Sequence, residues 1–349
     1  MFMNSVSTGI MENNETHMIV KKLASIIIVT YNHKKYIKSC IESVLKQDYP
    51  HEIIVVDNCS SDGTAEFVER NFPLVKVIKS DENLGYAGGN NLGVKYARGE
   101  YIVILNPDTI VEKDWLKELI RPLKNGRKLI TTSKILVYDG SAINTCGNIN
   151  HFTGLTFTRG LREKPNKYIR SEYVSGISGC CFAMRRRDFI DLGGFDENFF
   201  VYNEDADLSW RAHLKGFKIL FVPTSIVRHD YTLKVPPKKI YYLEKNRYMI
   251  LRKYLTWKEI LLLLPSLIVA EILTFGYAFR CGWKGIIYKL KAIKDGLTVK
   301  VCKVDGDRKK LFKALSSTIP VNQLTFNKAE QLFKTLCNKI FELNYRVVI

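Results

Sequence analysis

Tyr101-Ile102-Val103-Ile104-Leu105-Asn106-Pro107-Asp108-Thr109 is an apolar run that stops on a carboxylate. Its first five residues are aromatic or aliphatic β-formers, and an unbroken run of that kind predicts a strand buried on both faces. Asn106 and Pro107 break it and leave Asp108 at the carboxyl end. In open α/β sheets, ligands lie just beyond the carboxyl ends of the strands. A hard carboxylate there suits a divalent cation that also holds phosphate oxygens. The same three residues also make an ordinary turn, because each of them favours turns.

Upstream, residues 25–31 form a second continuous apolar strand ending in Tyr31-Asn32. Tyr36, Ile37, Cys40, Ile41, Val44 and Leu45 then recur at helical spacing, and Asp48-Tyr49-Pro50 stops that helix. Residues 52–56 read as a third strand, followed by a polar turn from Asp57 to Thr64 that opens a helix through Asn71. A short strand over 75–78 and a glycine-rich segment, Asn83 to Asn91, leading into a helix complete a βαβα alternation. That order predicts α/β architecture, a mostly parallel sheet with helices on its faces. No glycine follows the first strand, so a dinucleotide-binding fingerprint and a nicotinamide dehydrogenase are set aside.

Downstream, a helix over 115–123 and a strand over 129–137 precede a polar, irregular segment, 138–172. Segments of that length in a compact domain are usually functional or mobile. Residues 177–184 read as another buried strand. Glu204-Asp205-Ala206-Asp207 opens a helix that Gly216 closes, and a strand over 218–222 comes shortly before His229. Acids in a first turn suit the helix dipole, though one or two would suffice for that purpose.

The chain has 349 residues, and its 46% hydrophobic and 25% charged content is that of a folded protein. Its net charge of +18 is uneven: residues 231–349 hold 23 Lys and Arg against 8 Asp and Glu, which is +15 of the total. A localised basic surface implies an anionic partner. None of the eight cysteines falls in a Cys-x-x-Cys pair, which suggests a reduced, cytoplasmic protein. Residues 1–22 are polar, lack the apolar core of a leader, and read as a flexible lead-in. The run 260–279 carries one charge, Glu271, and is long enough to span a bilayer core of about 30 Å. Basic residues flank it on both sides, which favours an in-plane or re-entrant segment at a cytoplasmic membrane face, with Trp257, Tyr277 and Trp283 near the interface. A buried soluble helix is the competing reading.

The motifs, in order, are Ile28-Val29-Thr30-Tyr31-Asn32, Val55-Val56-Asp57-Asn58, Ser60 to Thr64, Asn83-Leu84-Gly85, Leu105 to Asp108, Gly193 to Asp196 and Asn203 to Leu208. Over residues 24–230 the chain resembles glycosyltransferase family 2 enzymes of the GT-A fold, and within them a rhamnosyltransferase-like branch. The resemblance implies a Rossmann-like mixed, mostly parallel sheet over 23–230; it covers 231–349 only loosely, and the charge and apolar runs there are read as a helical, membrane-associating region. It implies an inverting glycosyltransferase that moves a sugar from a nucleotide-sugar donor to a hydroxyl of a glycan or lipid-linked acceptor, in cell-surface polysaccharide or glycolipid synthesis. Thr30, Asn32, Asp57, Asn83, Gly85 and Asn106 would bind the donor. Asp108 and His229 would hold Mg2+ or Mn2+, with Asn106 standing where such enzymes carry the first acid of their Asp-x-Asp motif. Asp205 would be the catalytic base, with Glu204 and Asp207 supporting the acceptor site.

Three competitors follow from the residues. A nucleotidyltransferase would show a glycine-rich, basic signature after the first strand, which is missing. A non-catalytic glycan-binding or scaffold relative has Asn106 as its support, against an intact Glu204-Asp205 pair. Nucleic acid as the basic partner would need a binding motif, and the tail pairs its charge with apolar runs instead, which fits an anionic membrane surface.

Overall fold

The computed structural model describes residues 19–125, 128–231, 236–325 and 327–349. Its first half alternates as β1 (Val20–Thr30), α1 (Lys34–Leu45), β2 (His51–Asp57), α2 (Thr64–Asn71), β3 (Lys76–Lys79), α3 (Gly85–Lys95) and β4 (Gly99–Leu105). The quoted apolar run is β4, and Ile102 to Leu105 are buried on both of its faces, as an unbroken β-branched run requires. Each such side chain contributes about 1.5–3 kcal/mol when fully buried. The helix α1 buries Ile37, Cys40, Ile41 and Val44 of the predicted stripe, while Tyr36 is half-buried and Leu45 is exposed.

β5 (Thr109–Val111), α4 (Trp115–Ile120) and β6 (Leu129–Val137) follow, then the short strands β7 (Ile143–Thr145), β8 (Asn148–Asn150), β9 (Thr156–Thr158) and β10 (Glu172–Tyr173). So the segment read as irregular is partly ordered by strand pairing. β11 (Cys181–Arg185), α5 (Arg186–Asp191), α6 (Glu204–Leu214) and β12 (Lys218–His229) complete the sheet, in the order β10-β12-β6-β11-β4-β1-β2-β3. β1, β2, β3 and β4 run parallel, as do β6 and β12, while β11 runs antiparallel between β4 and β6. The strand expected over 177–184 begins only at Cys181, because residues 177–180 turn away to bond a loop and α6.

The lead-in predicted for 1–22 needs correcting at its end: Val20 to Lys22 belong to β1, and residues 1–18 lie outside the described residues. β12 runs through Pro223 to His229, with a register shift between Val222 and Ile226, so a proline that read as a strand end sits at a bulge.

The last third is helical: α7 (Pro237–Tyr254), α8 (Trp257–Leu262), α9 (Leu264–Arg280), α10 (Gly282–Thr298), α11 (Arg308–Ala314) and α12 (Lys328–Tyr345). It shares one core with the sheet domain, in which Phe199, Ala206, Trp210 and Leu214 pack with Met249, Ile250, Tyr254, Phe312 and Phe341. The boundary at residue 230 therefore marks a change of architecture and not of packing.

The 20-residue apolar run is not one helix. It divides at Leu263, with Pro265 in the first turn of α9, and among the described residues no helix is long and apolar enough to cross a membrane. Glu271 is reconciled with its apolar neighbours by Arg247 and Lys289, both buried and both paired with it and with Glu244. Three of the cations counted into the basic tail, Arg247, Lys253 and Lys289, are thus neutralised inside the fold.

Candidate functional site

Strand register gathers the first group. Thr30 lies opposite Asp57, and Ile27 opposite Ile104, so Thr30, Asp57 and the Asn106–Asp108 turn share the carboxyl edge of the sheet. Thr30 Oγ1 and Asp57 Oδ1 are buried and have no hydrogen-bond partner among the described residues, while Asp57 Oδ2 accepts from the Ser60 amide at 2.9 Å. Unpaired buried polar atoms are costly. Two of them side by side form a receptor for a polar ligand edge.

Asn32 is placed differently. Its side-chain oxygen accepts from the Ser61 amide at 2.8 Å, and its own amide donates to Ser60 Oγ at 2.9 Å. Together with the Lys34 amide on Asp62 at 3.0 Å, these bonds sew the loops after β1 and β2 into one floor. Asn83 turns its chain by accepting from the Gly85 amide at 2.9 Å. Gly85 has φ +70°, and a Cβ there would lie 2.4 Å from the Phe200 carbonyl oxygen, so only glycine fits. Its own carbonyl accepts from Asn58 Nδ2 at 2.7 Å.

Asp108 and His229 come together from the ends of β4 and β12, with His229 Nε2 3.3 Å from Asp108 Oδ1. His229 Nδ1 is 3.0 Å from the side-chain oxygen of Asn144. With a proton on Nδ1 donated to that oxygen, the Nε2 lone pair would be free for a metal ion, whereas a proton on Nε2 would face the carboxylate. Asp108 Oδ1 is buried without a hydrogen-bond partner. Burial raises the Asp108 pKa, but His229 and the residue's own backbone amide outweigh it and hold the carboxyl below its ordinary value. A carboxylate and an imidazole nitrogen pointing at one another fit two ligands of a divalent ion. No group of three or more such residues forms among the described residues, so phosphate oxygens and water would complete the shell.

The second group stands on α6. Asp205 is buried, its Oδ2 accepting from the Gly179 amide at 2.9 Å and Asn148 Nδ2 at 3.1 Å, and its Oδ1 from the Ala206 amide at 2.8 Å. The neighbouring Glu204 is also buried, and its Oε2 has no partner among the described residues. Burial raises both pKa values. For Glu204 the Asp205 charge adds to burial, while for Asp205 three N–H donors oppose it. The hydrogen bonds therefore favour Asp205 as the ionised member of the pair. Asp207 faces elsewhere: Lys253 at 2.6 Å, the Tyr254 hydroxyl at 2.9 Å and Arg211 take its oxygens, so it anchors α6 to α7.

One backbone bond and one backbone-to-carboxylate bond join the groups. The Asn106 amide donates to the Cys180 carbonyl at 3.0 Å, and the next residue back, Gly179, donates to Asp205. Asn144, Asn148 and Gly179 are the residues that sequence reasoning missed. Asn144 and Asn148 lie in the segment read as irregular, and they act through contacts far away in the chain.

Residues 25–193 match the family model described as glycosyl transferase family 2, and residues 161–234 match one described as N-terminal domain of galactosyltransferase. The chain is 29% identical over 213 residues to rhamnosyltransferase WbbL of Escherichia coli (strain K12), covering 57% of this chain and 80% of that protein. It is 28% identical over 209 residues to a poly-beta-1,6-N-acetyl-D-glucosamine synthase of Staphylococcus aureus (strain COL), covering 57% of this chain and 48% of that one. It thus spans about half the length of the second relative. The crystal structure of GalNAc-T7 with UDP, GalNAc and Mn2+ shares the fold, with a TM-score of 0.59 at 20% identity over 86% of this chain and 57% of that one.

Proposed function

We propose that this chain, whose residues 25–193 form a glycosyl transferase family 2 domain, moves a hexose from a nucleotide-sugar donor to a hydroxyl group with inversion at the anomeric carbon. The observation that carries the reading is the Asp205 carboxylate, held by three N–H donors, one of which, the Gly179 amide, adjoins the Cys180 carbonyl that accepts from the Asn106 amide. Thr30 and Asp57 offer unpaired polar atoms to the nucleoside, and the floor built by Asn32, Asn83 and Gly85 sets its depth. Asn106 supplies a side-chain amide toward the ribose.

Asp205 takes the proton of the acceptor hydroxyl as its oxygen attacks the anomeric carbon. The bond from that carbon to the diphosphate oxygen breaks, and its electrons leave with the nucleoside diphosphate. One displacement from the opposite face inverts the configuration. A divalent ion at Asp108 and His229 would offset the charge that develops on the diphosphate.

The same reading places the protein on a membrane. Trp257, Leu261, Ile268, Phe279 and Trp283 are exposed on the helices after α7, and the exposed Lys258 and Lys284 next to Trp257 and Trp283 suit anionic headgroups. Docking is in-plane at the cytoplasmic face, and the acceptor is a glycan or lipid-linked saccharide used in polysaccharide or glycolipid synthesis.

The test is a panel of nucleotide-sugars with detection of released nucleoside diphosphate and product anomer by NMR. Release of inorganic diphosphate would indicate nucleotidyl transfer, and donor binding without any release would indicate a non-catalytic relative. Co-sedimentation with vesicles of anionic lipid tests the docking.

A further inference from the structure

A cavity of about 320 Å3 opens between α7, α9 and α12 and the turn at Gly154 to Phe157. Its wall is apolar over most of its area, formed by side chains such as Leu155, Phe157, Ile240, Leu243, Leu273 and Leu324. Polar side chains share the lining, among them Asn203, Glu244, Arg247, Gln323 and Lys334. Empty core cavities are apolar throughout, and this lining is not.

Gly276 also lines the cavity. It sits inside α9, where glycine costs about 1 kcal/mol relative to alanine. A Cβ there would meet nothing within 4 Å. No close approach accounts for this glycine, and its effect is to keep the space open.

Two of the lining residues, Ile272 and Phe333, are also 54% and 46% exposed, and the same helices carry further exposed apolar side chains, Leu264 and Ile268 on α9 and Leu336 and Ile340 on α12. Asn203, the residue before Glu204 and Asp205, lines the cavity too. The cavity therefore borders both the exposed apolar side chains of the helical region and the start of α6.

We infer that this cavity seats the hydrocarbon chain of a lipid-linked saccharide acceptor, entering beside the exposed apolar side chains of α9 and α12. The inference rests on the glycosyltransferase reading above and adds to it where the acceptor's lipid end lies.

The test is a ladder of n-alkyl β-D-glucopyranosides (methyl, hexyl, octyl, decyl), each titrated below its micelle concentration into the full-length protein by calorimetry. Affinity is expected to rise about fourfold per added methylene, the increment of burying one CH2 group. Gly276→Phe fills the space and should flatten that ladder, losing tenfold or more for the decyl compound. Gly276→Ala should keep the ladder and confirm that the helix tolerates a side chain, with melting curves verifying that both variants fold. A flat ladder in the wild type, methyl glucoside binding as well as decyl, or a full ladder in folded Gly276→Phe would each overturn the inference. Nucleoside diphosphate binding is measured in the same samples. If it is absent while the ladder behaves as expected, the donor reading falls and the cavity assignment stands; the reverse removes only the cavity assignment.

Discussion

Replacing Asp205 with Asn separates the base from its neighbour. The carboxylate accepts from Gly179 and Asn148 on one oxygen and from Ala206 on the other. An asparagine that keeps its oxygen toward Gly179 and Asn148 must turn its NH2 toward the Ala206 amide, donor against donor. That mismatch costs about 1–3 kcal/mol of stability. Loss of the base lowers turnover by about 10²–10⁴, which is roughly 3–5 kcal/mol of barrier at 1.36 kcal/mol per tenfold. Donor affinity stays, since Thr30 and Asp57 are untouched. The companion is Glu204→Gln. Asp205 is the member that hydrogen bonds favour as ionised, so the uncharged amide should keep turnover within a few-fold of wild type and leave the acid limb of the pH–rate profile where it was. That limb falls as pH drops through the raised Asp205 value, because only the ionised form accepts a proton. A carboxyl whose folded pKa lies above its unfolded one costs stability as pH rises from the unfolded value through the folded one, and Glu204→Gln should remove the Glu204 share of that decline while leaving that of Asp205. The assay is nucleoside diphosphate release at saturating substrates from pH 5 to 9, with donor binding by calorimetry. Near-normal turnover in folded Asp205→Asn, or a hundredfold loss in Glu204→Gln, would refute the assignment of roles.

Asp108→Asn should remove divalent-ion dependence of donor binding, read by calorimetry with and without Mn2+, while the nucleoside contacts persist. Gly85→Ala should destabilise the fold by at least ~1–3 kcal/mol, since φ is +70° and the new methyl meets the Phe200 carbonyl; denaturant midpoints report it. Asn246→Ala should cost about 1–3 kcal/mol and lower turnover with donor affinity unchanged, because its amide donates to the Phe199, Val201 and Tyr202 carbonyls ahead of the base helix. The Glu271 carboxyl is held down at about 2, burial being outweighed by Arg247 and Lys289. Its contribution is therefore present above the ordinary value of 4.5 and lost as pH falls from there toward about 2, and Glu271→Gln should flatten that part of the acid melting curve.

What the sequence made legible follows from range of interaction. β1, β2 and β4 are continuous apolar runs closed by polar turn residues, and α1 is a clear stripe, so local pattern settles them within a few residues. The direction of β11 is not local: antiparallel insertion between β4 and β6 is decided by partners about 50 to 80 residues away. Asn144 and Asn148 were invisible for the same reason, each meaning nothing until His229 and Asp205 arrive beside it. Hydropathy read the 260–279 run as continuous because it counts residues and not partners. Glu271 became tolerable only when α7 and α10 brought Arg247 and Lys289 to it.

The loop before α6 shows why the helical region belongs to the site. Phe200, Tyr202 and Asn203 all hold positive φ, at 61°, 66° and 62°, conformations that side-chain-bearing residues avoid. Such strain persists only where neighbours impose it. Here they come from both sides. The Phe200 carbonyl accepts from the Tyr86 and Ala87 amides, at 2.7 and 3.2 Å, so the donor-side helix α3 fixes it from the sheet domain. Asn246 on α7 holds the Phe199, Val201 and Tyr202 carbonyls, and Lys253 and Tyr254 hold Asp207 one turn into the base helix. A shift of α7 would therefore relax the loop and move Asp205 relative to the turn that carries Asp108. A ligand in the adjoining cavity would bear on α7 and α9, and through Asn246, Lys253 and Tyr254 on the placement of Asp205.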